Sequence, residues 1–178
     1  KVKELMERGE LAPDYLVTEL VEEALFSSPA RRGAILDGYP RTLAQAGALE
    51  QLLGAIGAEL SAVIYLDVPF EEIIERISGR RQCGSCSASY HLRFTPPARE
   101  GVCDLCGGEL VQRPDDSRDA VLRRLEVYVE QTQPLVEHYR RLGKLRRLDG
   151  TPPVPETTSS ILNILAEVGI RTASMIVR

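Results

Sequence analysis

The chain has 178 residues, 43% hydrophobic and 27% charged, and its 22 Lys+Arg against 26 Asp+Glu give a net charge of −4. This is the length of one domain, or of one domain carrying an insertion, and the acidic balance argues against a protein that coats nucleic acid while leaving room for a local basic cleft. Apolar runs are short, as at residues 62–66 (AVIYL), against the roughly 20 residues that crossing a bilayer takes, so neither nucleic acid nor membrane is expected as a partner.

The first residue is Lys1, and residues 2–8 (VKELMER) form a charged, helix-like stretch, which reads as a start in mid-protein. No signal-peptide pattern is present, and the expected location is cytoplasmic. Pro13-Asp14 opens a helix bearing Leu16, Leu20, Val21, Ala24 and Leu25. Gly33 opens a short apolar strand, Ala34-Ile35-Leu36, that ends at Asp37-Gly38. Leu49, Leu52, Leu53 and Ile56 mark a second helix, ended by Gly57. Residues 62–66 read as a buried parallel strand, stopped by Asp67-Val68-Pro69. Phe70, Ile73, Ile74 and Ile77 line a third helix with Glu71 and Glu72 in its first turn.

Four cysteines then form two Cys-x-x-Cys knuckles, Cys83/Cys86 and Cys103/Cys106, 16 residues apart. Gly84, Gly107 and Gly108 supply the turns, where a knuckle wants positive φ and N–H groups aimed at sulfur. This spacing predicts a tetrahedral four-thiolate zinc site; two disulfides or four free thiols are the alternatives. Four ligands leave no open position, so the metal is expected to be structural, stapling a loop-rich segment from Gly79 to Asp116.

Past the knuckles, Val121, Leu125, Tyr128 and Val129 define a long helix. Pro134 starts another, through Tyr139 to Leu142, capped by Gly143. Residues 145–148 form a last short strand closed by Asp149-Gly150, and Ile161, Leu165 and Val168 line a terminal helix. Residues 169–178 carry no pattern. The alternation predicts an α/β fold, a parallel sheet with helices on both faces, with ligands gathering at the carboxyl ends of the strands. Asp37 and Asp149 stand there, although Asp-Gly is also an ordinary turn. Arg76 and Arg80 fall i, i+4 on one helix and share a face. With Arg41, Arg113, Arg123 and Arg124 they suggest a cleft for phosphate oxygens in an otherwise acidic chain.

The run Leu36-Asp37-Gly38-Tyr39-Pro40-Arg41, with Gln45 three residues beyond Thr42, resembles the signature of the adenylate kinase family. Ile77-Ser78-Gly79-Arg80-Arg81, Tyr90-His91, Phe94-Thr95-Pro96-Pro97, and residues 108–113 with Asp115-Asp116 resemble the zinc-bearing lid of its bacterial members. Arg124-Leu125, Tyr128, Gln131-Thr132, Pro134-Leu135, Tyr139 and Asp149-Gly150-Thr151 extend the likeness over residues 2–168. The resemblance implies a P-loop-kinase-like core and transfer of a phosphoryl group from ATP to AMP, giving two ADP, with Mg2+ bound to ATP. It implies an AMP-segment remnant at 1–12, core at 13–78, zinc lid at 79–116 and further core at 117–178, acting as a monomer.

It also implies residue roles. Arg41, Arg80, Arg113, Arg124 and Asp37 form the catalytic set, with Asp37 supporting the Mg2+ shell. Glu10, Leu11, Ala12, Gly38, Tyr39, Pro40, Arg41, Gln45, Arg113 and Arg124 hold AMP, Gln45 reading adenine. Arg76, Arg80, Ser89, Tyr90 and the backbone of Pro152 contact ATP. Asp115 and Asp116 orient the lid arginines, and neither His91 nor His138 is expected to be catalytic.

The 178 residues depart from the family in having no Gly-x-x-x-x-Gly-Lys loop; the Gly143-Lys144 pair precedes a strand instead of following one. The first, central strand and the phosphate loop are thus expected to be missing, leaving Ile35 and Val63 beside a gap and the chain inactive or nearly so. Alternatives are a kinase for UMP or CMP, a zinc-ribbon module binding nucleic acid or protein, and a kinase-derived regulator.

Overall fold

A computed structural model describes residues 10–27 and 33–170. The helix-like run at 2–8 and the tail beyond residue 170 lie outside the described residues. The order is α1 (Asp14–Phe26), α2 (Leu43–Ala55), β1 (Val63–Asp67), α3 (Phe70–Ser78), β2 (Arg80–Cys83), β3 (Ser89–His91), β4 (Leu110–Val111), a 3-10 turn (Pro114–Asp116), α4 (Arg118–Val127), a π turn (Tyr128–Thr132), α5 (Pro134–Arg141), β5 (Leu145–Asp149) and α6 (Val154–Glu167). The chain divides into two compact units. A knuckle unit comprises residues 10–13 and Pro69–Tyr128, and a sheet unit comprises Asp14–Val68 and residues 129–170.

In the sheet unit, β1 and β5 pair in parallel, from Val63 opposite Leu145 to Asp67 opposite Asp149. Leu25, Tyr39 and Leu49 form one apolar cluster, joined by Val17, Val21, Leu36, Leu52 and Leu53. Ala46, Leu135 and Tyr139 form another with Leu60, Val63 and Leu145. Helix α2 thus serves both clusters, sending Leu49 to one and Ala46 to the other; each buried leucine contributes roughly 1.5–3 kcal/mol. Thr42 caps α2, its hydroxyl accepting from the Gln45 N–H at 3.1 Å. Pro134 begins α5, where a missing N–H costs no helical bond.

Two strand expectations change here. Residues 34–36 are irregular, and Ile35 is 83% exposed. A strand exists through ladder bonds to a neighbour, and among the described residues none pairs with this segment. Strand β1 is half-buried rather than buried, with Leu66 45% exposed, since β5 is its one ladder partner among the described residues. Asp149 proves to be the last residue of β5, not the residue after it.

In the knuckle unit, α3 packs on α4, and Phe70 meets Tyr128 edge-on at 6.4 Å. Helix α3 stops at Ser78, where the Gly79 N–H closes on the Glu75 carbonyl at 3.0 Å. Arg80 therefore opens β2 and does not share a helical face with Arg76, because the chain leaves helical geometry between them. Strand β2 is the centre of a three-stranded antiparallel sheet ordered β3-β2-β4. Gln82 faces Ser89 on one side and Val111 on the other. Helix α4 begins at the Ser117 cap and ends at Val127, so Tyr128 and Val129 belong to the π turn that follows.

Candidate functional site

In the sheet unit, the segment 37–45 is a loop tied at several points. Gly38 takes φ +70°, and its carbonyl accepts from Arg41 Nε at 2.7 Å. Tyr39 faces inward: its ring is in the apolar cluster, and its hydroxyl bonds the Gln45 carbonyl at 3.3 Å and lies 3.2 Å from Thr18 Oγ1. Its backbone is what remains for a ligand. The Tyr39–Pro40 bond is cis. The Arg41 carbonyl accepts from Thr132 Oγ1 at 2.8 Å, so the π turn braces the loop. Asp37 and Arg41 are exposed.

Gln45 is only 3% exposed, and both ends of its amide are engaged. Oε1 accepts from the Arg41 N–H at 2.7 Å, and Nε2 donates to Asp14 Oδ1 at 2.7 Å. Asp14 Oδ2 in turn accepts from Thr42 Oγ1 at 2.9 Å. Asp14 escaped the sequence reading, which took it only as a helix start. The Thr42-x-x-Gln45 spacing of a capping box was the available signal that this glutamine has structural partners. At the end of β5, Asp149 Oδ1 accepts from the Thr151 N–H and hydroxyl at 2.9 and 2.7 Å, and the Pro152 carbonyl accepts from Thr157 Oγ1 at 3.1 Å.

The knuckle unit holds the other arginines. Arg80 grips Asp116 through both carboxylate oxygens, Nε lying 2.8 Å from Oδ2. Asp116 is fully buried, and its hydrogen bond raises the Arg80 pKa against the burial that opposes it. Arg113 makes a similar fork to Asp115 at 3.0 and 2.8 Å. Arg76 pairs with Glu72 at 2.5 Å, and Arg124 sits half-buried on α4. Glu10 is exposed, with Leu11 and Ala12 half-buried beside it in sequence. His91 is structural: Nδ1 accepts from the Arg93 and Phe94 N–H groups at 3.0 and 3.1 Å, leaving Nε2–H for the Glu75 carbonyl at 3.3 Å. His138, in the sheet unit, lies 3.5 Å from Glu50 on the flank of α5.

The four sulfurs converge within 4.8 Å of one another. Cys83 and Cys106 lie 3.4 Å apart, and Cys86 and Cys103 3.6 Å. A disulfide requires about 2.05 Å, whereas four thiolates at about 2.3 Å from one tetrahedral ion stand about 3.8 Å from each other. The arrangement therefore fits zinc. A Cβ on Gly108 would lie 3.0 Å from Cys83 Sγ and 2.7 Å from Ser85 Oγ, so only glycine lets the second knuckle close on the first. Gly107 takes φ +73° after the second knuckle, while Ser87, not Gly84, takes the left-handed position after the first at φ 62°. The Ser85 N–H points at Cys83 Sγ from 3.4 Å.

The ring of Tyr90 closes this shell. Its hydroxyl lies 3.5 Å from Cys103 Sγ and accepts from the Asp104 N–H at 2.8 Å. The Tyr90 hydroxyl holds the Cys103 thiol down to about 6. The Cys106 thiol rises to about 12: the Gly108 N–H favours its thiolate, but the neighbouring sulfurs oppose a further negative charge. Four thiolates this close need a cation among them. Ser89 beside Tyr90 is exposed.

A parallel α/β sheet, a guanidinium-rich knuckle unit and a four-thiol cluster that could hold zinc are consistent with a phosphotransferase. A family model described as Adenylate kinase matches residues 1–144, and the chain belongs to the adenylate kinase family of phosphotransferases. It is 50% identical over 165 residues to the adenylate kinase of Carboxydothermus hydrogenoformans, an alignment covering 93% of this chain and 77% of that protein. It is 48% identical over 168 residues to that of Clostridium tetani, covering 94% and 78%. The adenylate kinase of Methanocella arvoryzae is 47% identical over 161 residues, covering 90% and 74%.

Proposed function

We propose that this kinase transfers the γ-phosphoryl group of ATP to an α-phosphate oxygen of AMP, releasing one ADP and forming another. The new P–O bond joins the AMP oxygen to Pγ while the bond from Pγ to the β–γ bridging oxygen breaks. Such a reaction asks little covalent chemistry of a protein; it asks for alignment, charge neutralisation and exclusion of water.

Arg41, with Gly38, Pro40 and the backbone of Tyr39, holds AMP by its phosphate, and Gln45 meets the adenine. Since Gln45 is 3% exposed, contact with a base requires the cover over its amide to move. Glu10, Leu11 and Ala12 complete the AMP segment. Arg80, Ser89 and Tyr90, with Arg76 and the Pro152 backbone, serve ATP; the Tyr90 hydroxyl being taken by the metal shell, its ring face is the part offered to nucleotide. Arg113 and Arg124 neutralise the phosphates in flight. The forks to Asp115 and Asp116 hold Arg113 and Arg80 in one orientation, which lowers the cost of ordering them on substrate. Mg2+, carried by ATP and supported by Asp37, would supply further charge neutralisation to the transferring phosphate.

The proposed lid comprises residues 79–116, flanked by core at 13–78 and 117–178, with 1–12 belonging to the AMP segment. A structural zinc ion would keep it folded as it moves. The protein acts as a cytoplasmic monomer, and four free thiols suit a reducing compartment.

The observation that carries this reading is the braced loop 37–45, which presents an exposed Arg41 on a fixed backbone. Calorimetric titration tests it: AMP binds more tightly than UMP or CMP, and Arg41→Ala weakens AMP on the order of a hundredfold, as expected for a charge-assisted phosphate contact worth about 3 kcal/mol. Equal affinity for all three monophosphates rejects the assignment to AMP. The 178 residues contain no Gly-x-x-x-x-Gly-Lys, and by themselves they turn over slowly or not at all in a coupled ATP/AMP assay.

A further inference from the structure

We propose that Asp14 is a specificity-determining positioning residue that fixes which end of the Gln45 amide is offered to a base, and so selects a 6-amino purine over a 6-oxo purine. This rests on the reading that Gln45 meets the adenine. A primary amide is nearly symmetric in shape but opposite in hydrogen-bonding sense at its two ends. Rotated by half a turn, the same side chain suits the opposite base edge. Adenine presents an amino donor and a ring-nitrogen acceptor, which need the amide oxygen and nitrogen respectively; hypoxanthine presents a carbonyl acceptor and a ring N–H donor, which need the reverse. A glutamine free to rotate would discriminate poorly between them.

Gln45 is not free to rotate. The Arg41 backbone N–H can only donate, so the atom 2.7 Å from it must be Oε1. The carboxylate of Asp14 accepts with both oxygens, from Gln45 Nε2 at 2.7 Å and from Thr42 Oγ1 at 2.9 Å. Thr42 Oγ1 spends its single hydrogen on Asp14 and accepts the Gln45 N–H at 3.1 Å, which fixes the direction of every bond in the circuit. Turning the amide over would set N–H against N–H at Arg41 and oxygen against oxygen at Asp14. Each orphaned group so buried costs about 1–3 kcal/mol. One lone pair on Oε1 and one hydrogen on Nε2 have no partner among the described residues, and these carry the polarity that adenine requires.

An ordinary capping box needs no such carboxylate. There the glutamine reaches back to the N–H of the capping residue itself, whereas Gln45 reaches one residue further, to Arg41, and hands its other end to a different helix. Asp14 belongs to the first turn of α1 and Gln45 to that of α2. If the circuit served only to join the helix ends, the polarity of the amide would have no functional consequence.

The test compares Asp14→Asn, which keeps the shape and can donate to a turned amide, with the unmodified chain, by calorimetric titration with AMP and with IMP. The expected result is that the AMP:IMP affinity ratio falls on the order of tenfold in Asp14→Asn, partly through a gain in IMP binding, and falls further in Gln45→Leu. A ratio unchanged in Asp14→Asn while Gln45→Leu lowers it overturns the proposal and leaves the Gln45 reading standing. A ratio unchanged in Gln45→Leu, or no AMP binding by the unmodified chain, counts against the reading and removes the base-selecting role with it. A ligand-free measurement addresses the lock itself: the Gln45 side-chain amide should give one set of 15N–1H resonances in the unmodified chain and two in Asp14→Asn. A single, unshifted set in both overturns the lock.

Discussion

The sheet unit buries leucines, an alanine and two tyrosine rings in two apolar clusters, whereas the deepest side chains between residues 79 and 116 are two sulfurs and a carboxylate, those of Cys83, Cys103 and Asp116. Three of that segment's larger apolar residues lie outside: Leu92, Phe94 and Leu105 are 52%, 49% and 80% exposed. A segment of this length with so little apolar burial cannot offset its conformational entropy by the hydrophobic effect alone. A zinc ion on the four sulfurs would do that work, and the short strands β2, β3 and β4 frame those sulfurs. One chain thus contains two solutions to the same problem. The second keeps its shape without an apolar core.

The largest effect should come from the metal. Structural zinc sites contribute about 10–16 kcal/mol of apparent binding free energy at neutral pH, more than the whole net stability of an ordinary domain. A strong chelator, or Cys103→Ser, is expected to abolish hydrogen-exchange protection in β2 and β3. Protection of β1 and β5 should persist. Loss of protection in all five strands together would mean the units do not differ in the way described.

Next in size is Leu49→Ala, which reverses the comparison. Leu49 is 2% exposed and packed in the apolar cluster of α1 and α2, and its truncation should cost about 3–5 kcal/mol by removing methyl groups and leaving a cavity. The loss should appear as a lower urea midpoint for β1 and β5 amides. Zinc content, read by a thiol-displacement dye, should stay at one ion per chain.

Asp116→Asn should be smaller, about 2–3 kcal/mol, since Arg80 keeps partial access to water (side chain 39% exposed) and can recover some solvation. Its sharper consequence is positional. With the fork gone, Arg80 samples more orientations, so ATP binding should weaken by more than the stability loss accounts for. Titration of ATP into folded, zinc-loaded variant measures that separately.

How much of this was legible beforehand follows the same division. Periodicity located α1 to α6, β1 and β5 because each carries its own apolar stripe or run. Cysteine spacing pointed to a four-thiol cluster able to hold zinc because thiolate geometry tolerates few alternatives, and the S···S separations fit such a cluster. The irregular course of residues 34–36 was not legible, since three apolar residues look like a strand whether or not a partner is at hand. Nor was the break between Arg76 and Arg80. Spacing four apart suggests a helical face, and only the turn at Gly79 shows that the second arginine has changed element. Asp14 was missed because its partners, Thr42 and Gln45, are distant in sequence, and no local pattern points from one to the other. Family likeness implied only that Asp115 and Asp116 orient the lid arginines; which carboxylate takes which arginine, Asp115 with Arg113 and Asp116 with Arg80, came from the side chains.

The smallest effect is set by pH, and it sharpens the contrast from the acid side. On α5, Glu137 accepts from Arg140 Nε and a terminal nitrogen at 2.7 and 2.9 Å and from Arg141 Nε at 2.8 Å. The Arg140 guanidinium first, and Arg141 second, hold its carboxyl down at about 2, against an ordinary value of 4.5. A folded value below the unfolded one means the interaction stabilises fully above pH 4.5. It fades as the pH falls and is gone below about 2. Because all three side chains are at the surface, the contribution is minor and screened by salt. Comparing the unmodified chain with Glu137→Gln, α5 amides should exchange slightly faster in the variant at pH 6. The difference should shrink from pH 4.5 downward and be reduced in 1 M salt. The knuckle unit should answer acid quite differently if zinc holds it, because protonating the thiolates would release the ion. Its protection should collapse over a narrow pH range while the sheet unit changes gradually; a shared, steep transition in α5 and β2 would show that one cooperative event governs both.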